Sequence, residues 1–277
     1  MLERKANNLF LNSDYQLRSG WWILVFFLLL ALFLVPIIFM AQKAGTDIPI
    51  GLQAILIAVV SGFCQLLRRK PLSELLGTVD LGWFRDLALG GLIGAMLMLI
   101  PALFLGITGL VNWEWNPAGS SSLTSGLLLF AGVAIAEEFL FRGFIFQRLL
   151  TGIGIWPAQL IVAVFFLLTH LNNPGMTGDV KTLASINIFL ASLLFGLAFL
   201  RTRSLAMPLG IHFLANWVQG GLLGFGVSGT DQNGLFIPVL QQGFDWLTGG
   251  AFGLEASLPG LVCVLAALAL LITWKAK

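Results

Sequence analysis

Glu137, Glu138 and Arg142, in the run Glu-Glu-Phe-Leu-Phe-Arg, put three ionisable groups in the middle of a long apolar stretch, and chemistry is expected there first. In hydrocarbon each such charge costs at least ~2.5–3.5 kcal/mol on insertion scales, so intramembrane acids and bases face a protein interior or a wet cavity. On a helix Glu138 and Arg142 are four apart and share a face, whereas Glu137 is turned roughly 100° from its neighbour. One carboxylate can then be paired while the other stays free. A purely structural ion network between helices is the competing reading of the same residues.

The chain has two histidines, and each falls in or at the end of an apolar segment: His170 in Phe-Leu-Leu-Thr-His and His212 in His-Phe-Leu-Ala-Asn. His212 and Asn216 are spaced i, i+4, so an imidazole and an amide face one direction. Such a pair can ligate a metal or donate to a developing oxyanion. A carboxylate, two imidazoles and an amide, without a nucleophilic Ser or Cys, make a set for activating water. Glu137 is then the general base, and the imidazoles orient the water or hold zinc. The sequence lacks His-Glu-x-x-His, lacks a Gly-x-Ser-x-Gly serine context in a span and lacks two Asp residues in spans. Zincin, rhomboid-like serine and aspartyl-dyad mechanisms are thereby set aside.

Glu-Glu-x-x-x-Arg at 137 to 142, Phe-x-x-x-His at 166 to 170 and His-x-x-x-Asn at 212 to 216, in that order on separate spans, resemble the CPBP (CAAX protease and bacteriocin-processing) intramembrane proteases. That family includes the Rce1-type CAAX prenyl endopeptidases and the Abi bacteriocin-immunity proteins. The resemblance covers about 122 to 222 and implies that Glu137, together with His170, is the water-activating base, and that Glu138 and Arg142 support it. It further implies that His212 and Asn216 stabilise the oxyanion. The family is described as metalloproteases, and His170, His212 and Glu137 match a His₂Glu zinc site by count alone. A metal-free glutamate mechanism is the other reading, because Glu137 does not easily serve as ligand and base together. The expected substrate is a membrane-associated peptide or protein, lipidated or not. The alternative is a non-enzymatic membrane protein: a proton- or metal-coupled carrier, or an immunity or scaffold protein.

The elements that must position these residues are membrane helices. Of 277 residues 58% are hydrophobic and 10% charged, too apolar for a soluble domain of that size. The expected fold is all-α, a polytopic helical bundle of about eight transmembrane helices in the cell membrane. The spans fall at about 21–42, 50–67, 86–109, 120–150, 156–171, 182–200, 206–225 and 258–274. Residues 1–121 are expected to carry spans one to three, 122–222 the catalytic core and 223–277 an extracytoplasmic loop with the last span, all in one membrane domain. Residues 72–85 read as an interfacial connection, 113–117 as an interfacial loop and 235–247 as a segment lying flat on the interface; Ser120 to Ser122 read as a helix cap.

Twelve of the 15 Lys and Arg fall on the side of both termini and only Lys43 and Lys181 on the other, which puts the termini in the cytoplasm. Nucleic acid is not an expected partner. Cys64 and Cys263 lie inside apolar runs and give no disulfide framework. Counting from the cytoplasmic ends puts Glu137 at ~20 Å, His170 at ~21 Å and His212 at only ~9 Å. Helix tilt, or a seventh span that starts deeper than its sequence suggests, has to close that gap.

Overall fold

The computed structural model describes residues 9–12 and 15–274. Arg4, Lys5, Lys275 and Lys277, part of the expected cytoplasmic set, lie outside the described residues. The described residues are all-α apart from one small two-stranded antiparallel sheet. Its helices are α1 (Ser19–Ala44), α2 (Ile50–Leu67), α3 (Ser73–Leu76), α4 (Leu81–Ile107), α5 (Gly119–Glu138), α6 (Phe146–Ile153), α7 (Ile155–His170), α8 (Gly178–Thr202), α9 (Ala206–Asn216), α10 (Asp245–Thr248) and α11 (Leu258–Thr273). Two π-helical segments interrupt the regular geometry, Phe139–Ile145 between α5 and α6 and Trp217–Leu222 after α9.

Among the described residues five helical stretches are long and apolar enough to cross a membrane: Ser19–Ala44, Ile50–Leu67, Ser73–Ile107, Gly119–Ile153 and Gly178–Thr202. This fits a multi-pass membrane protein. The remaining helices of the expected eight are shorter: α7 and α11 have 16 residues each and α9 has 11 before its π segment. Helices this short reach only part of the way across a ~30 Å hydrocarbon layer.

Two apolar clusters hold the bundle together. The larger joins α4, α7, α8, α9 and α11; the smaller lies between α1, α2 and the first π segment, around Phe26, Cys64 and Phe144. The closest approach is between α4 and α9. A Cβ added at Gly90 would stand 2.2 Å from the Met207 carbonyl oxygen, one at Gly94 2.1 Å from that of Ile211, and one at Gly210 2.1 Å from that of Leu87. Only glycine lets two backbones meet in this way. Gly94→Ala is therefore expected to force α4 and α9 apart, to cost about 1–3 kcal/mol of overpacking and to shift His212, the residue next to Ile211. Gly51→Ala, where an added Cβ meets nothing within 4 Å, serves as the neutral control. Thermal midpoints and turnover of the two variants in nanodiscs check the contrast.

The gap in depth at His212 is closed by the way α9 begins. Residues 204–212 are all buried, so the helix starts inside the protein instead of at a water-facing surface. The short α3 covers it: the Leu76 carbonyl accepts from Leu205 N–H (3.1 Å), Ser204 Oγ (3.0 Å) and Trp83 Nε1 (3.0 Å). Glu74 on α3 is tied in turn to Arg148 at 2.7 Å and Arg68 at 3.3 Å. The connection at 72–85 thus acts as a lid over the start of α9.

Three local expectations are corrected. The loop at 113–117 and the flat segment at 235–247 instead supply β1 (Val111–Trp115) and β2 (Phe236–Leu240), an antiparallel pair in which Trp113 faces Pro238 and Glu114 faces Ile237. Alternation of apolar and polar residues in Val-Asn-Trp-Glu-Trp suits a pleated strand. Ser120 to Ser122 do not cap α5. The Asn116 side chain accepts from Ala118 N–H at 3.1 Å, while Ser121 Oγ donates back to the Ala118 carbonyl.

Candidate active site

Glu137 and Glu138 end α5, and the first π segment begins at the next residue. A π turn carries one extra residue, and such turns are frequent at functional sites. Glu138 and Arg142 are both fully buried and form the expected i, i+4 pair, Arg142 Nη1 donating to Glu138 Oε1 at 3.3 Å. The guanidinium also donates through Nη2 to the Ser192 carbonyl (3.1 Å) and hydroxyl (2.6 Å) on α8. It lies over the rings of Phe166 (4.7 Å) and Phe195 (5.0 Å), which offer the cation a favourable face. Glu138 Oε2 and Arg142 Nε have no hydrogen-bond partner.

His212, on α9, sits against the same carboxylate, with Nδ1 at 2.8 Å from Glu138 Oε1. Its ring stacks on Phe195 at 5.0 Å. A carboxylate only accepts, so Nδ1 carries the proton of this bond and Nε2 is the accepting nitrogen of the neutral ring. His212 Nε2 faces Glu137 Oε2 at 3.8 Å, too far for a direct hydrogen bond, and Glu137 Oε2 has no other partner. Glu138 is therefore the hub: one oxygen holds both the arginine and the imidazole, and the imidazole stands opposite the free carboxylate.

His170 is fixed by the same logic. Its Nδ1 is 2.8 Å from the Phe166 carbonyl oxygen, an acceptor, so Nδ1 carries the proton and Nε2 accepts. Its ring lies against Phe166, 4.6 Å between centroids. Glu137, His170, His212 and Asn216 all line one cavity of about 450 Å³. They are not all neighbours, however. The resemblance implied His170 as the catalytic partner of Glu137, whereas among the described residues the imidazole within 4.0 Å of Glu137 belongs to His212.

The expected zinc set fares no better. Among the described residues no three His, Cys, Asp or Glu side chains stand close enough to share one ion, and His170, His212 and Glu137 as arranged do not fit a His₂Glu site.

The cavity has members that the sequence did not single out. Asn173, Asn187, Gln219, Ser228 and Glu255 line it beside the expected residues. Asn187 and Ser192 were signalled only as polar residues inside an apolar span, and Glu255 only as an acid in a loop without Lys or Arg.

No curated protein matches the chain. Residues 119–218, the segment that supplies α5 through α9 and every one of the expected site residues, match the family model described as type II CAAX prenyl endopeptidase Rce1-like, and that likeness points to a CAAX-type endopeptidase.

Proposed function

We propose that the chain is an intramembrane endopeptidase in which Glu137 activates a water molecule for attack on a peptide bond. The observation that carries the reading is Glu137 Oε2, which has no hydrogen-bond partner, facing His212 Nε2 across 3.8 Å. A water bridging the two would lie about 2.8 Å from each once the side chains part to uncover Glu137 Oε2, which is buried in the resting site, and a water held by two acceptors keeps its lone pairs free for a carbonyl carbon. Glu138 serves catalysis through His212, because its bond to Nδ1 keeps Nε2 accepting.

In the attack, the water oxygen bonds to the scissile carbonyl carbon while Glu137 takes one of the water protons. The carbonyl π electrons move to the oxygen, and the Asn216 amide N–H donates to the resulting oxyanion. The C–N bond then breaks, and Glu137 returns its proton to the leaving nitrogen. A neutral His212 accepting through Nε2 suits the water better than the oxyanion, so oxyanion stabilisation falls to Asn216. His170, with Nε2 accepting, lines the same cavity and is placed to accept a substrate N–H. The carrier alternative finds no comparable support, since no second set of intramembrane acids or bases repeats the first.

Both termini are assigned to the cytoplasm by the distribution of Lys and Arg, and cleavage to the cytoplasmic side of the bilayer. The test is hydrolysis of quenched fluorescent peptides by the purified protein in nanodiscs. Protein treated with a chelator and shown to be metal-free is expected to retain its rate. Loss of activity that stoichiometric zinc restores would replace this mechanism with a metal-dependent one.

A further inference from the structure

One wall of the cavity carries polar groups that the proposed hydrolysis does not use. Glu255, in the turn Leu254–Ala256, accepts through Oε1 from Ser228 N–H, from Ser228 Oγ at 3.0 Å and from Gln219 Nε2 at 3.4 Å. Gln219 lies in the second π segment, and its Nε2 also donates to the Gly226 carbonyl at 2.7 Å. Asn187, on α8, donates Nδ2 to the carbonyl of Glu255 itself at 2.6 Å. Each amide nitrogen is thus fixed by a carbonyl, which settles which way each amide points.

The consequence is a cluster of acceptors. Asn187 is 3% exposed and Gln219 1%, and the side-chain oxygen of each is buried without a donor. A buried acceptor left unpaired pays its desolvation without a compensating bond. No Lys or Arg stands within 4.0 Å of Glu255 among the described residues, and the loop at 226–257 contains none. Burial pushes the Glu255 carboxyl above its usual range, with the Ser228 bonds and the nearby His170 pulling the other way. A loop fastener would explain the bonds to Ser228 and to the backbone. It leaves the side-chain oxygens of Asn187 and Gln219, two residues that line the cavity beside Glu255, with no donor to meet them.

We propose that Glu255, Asn187 and Gln219 form a specificity subsite for the ammonium or guanidinium group of a basic side chain on the substrate. Such a group brings several N–H donors and the positive charge that this wall lacks. The assignment rests on the reading of the chain as a peptidase, but its recognition step is separable from the chemistry.

The experiment uses a cleavable peptide carrying Lys, norleucine or Glu at successive positions around the cut; norleucine keeps the lysine stem without its charge. At one position the wild-type protein is expected to favour Lys over norleucine about tenfold or more in kcat/KM. Glu255→Gln is expected to bring that ratio close to one, Glu255→Lys to favour Glu, and Gln219→Met to lower the ratio severalfold. Asp245→Asn, on the same loop but not among the cavity residues, should keep the wild-type ratio. Binding of the same peptides to Glu137→Gln protein, read by fluorescence anisotropy, should follow the same order.

Cleavage with no Lys preference at any position, or a preference that survives in Glu255→Gln, would overturn the subsite and leave the peptidase reading intact. Lys-selective binding that depends on Glu255, with no cleavage by the wild type, would overturn the peptidase reading and leave the subsite. Absence of both would remove both.

Discussion

Glu137→Gln is expected to reduce peptide hydrolysis by about three orders of magnitude, within the range that general acid–base groups supply, while the protein folds as before. The two halves of this expectation come from the same local geometry. Glu137 is partly exposed to the cavity, and its Oε2 has no hydrogen-bond partner, so the folded state does not lean on its charge. Glutamine keeps the shape and the acceptor oxygen but cannot take a proton from water at neutral pH. The fall should appear in kcat with KM little changed, because the group acts on the water and not on the bound peptide. Thermal midpoint and peptide binding measured on the same sample complete the test. A variant that still turns over at a tenth of the wild-type rate would remove Glu137 from its role as base.

What the sequence made legible was local. The i, i+4 spacing of Glu138 and Arg142, and the turn of about 100° between the two glutamates, follow from helix periodicity, and the observed ion pair obeys them. Gly90 and Gly94 of α4 permit a close helix approach, but nothing in their own stretch names α9 as the partner. The depth of His212 stayed hidden for that reason: a count from Arg203 assumes that a span begins at the surface, whereas residues 204–212 begin under the α3 lid. Long-range pairings stayed hidden too. Glu138 meets His212 across 74 residues, and β1 meets β2 across a gap that bridges half the chain. The π segments leave no compositional mark, since Phe-Leu-Phe-Arg-Gly-Phe-Ile is apolar enough for an ordinary helix.

Arg142→Ala is expected to silence the protein and to destabilise it together, by about 3–5 kcal/mol, the scale seen when one partner of a buried ion pair is removed. Arginine here does four things at once. It neutralises Glu138, donates to both oxygens of Ser192 on α8, and lies over Phe166 of α7 and Phe195 of α8. Alanine removes all of these and leaves a fully buried carboxylate facing His212 alone. The imidazole then becomes the only donor to Glu138 and is drawn toward it, away from Glu137. Arg142→Lys separates the two effects, because it restores one charge but not a planar fork able to reach Glu138 and Ser192 together. It should recover much of the lost thermal midpoint while turnover stays low, since without the fork Glu138 no longer holds Nδ1 of His212 in place. Denaturation in detergent read beside peptide hydrolysis gives both quantities. Full activity in Arg142→Ala, or equal rescue of stability and rate by lysine, would show that the pair is only a structural tie and that His212 does not depend on it.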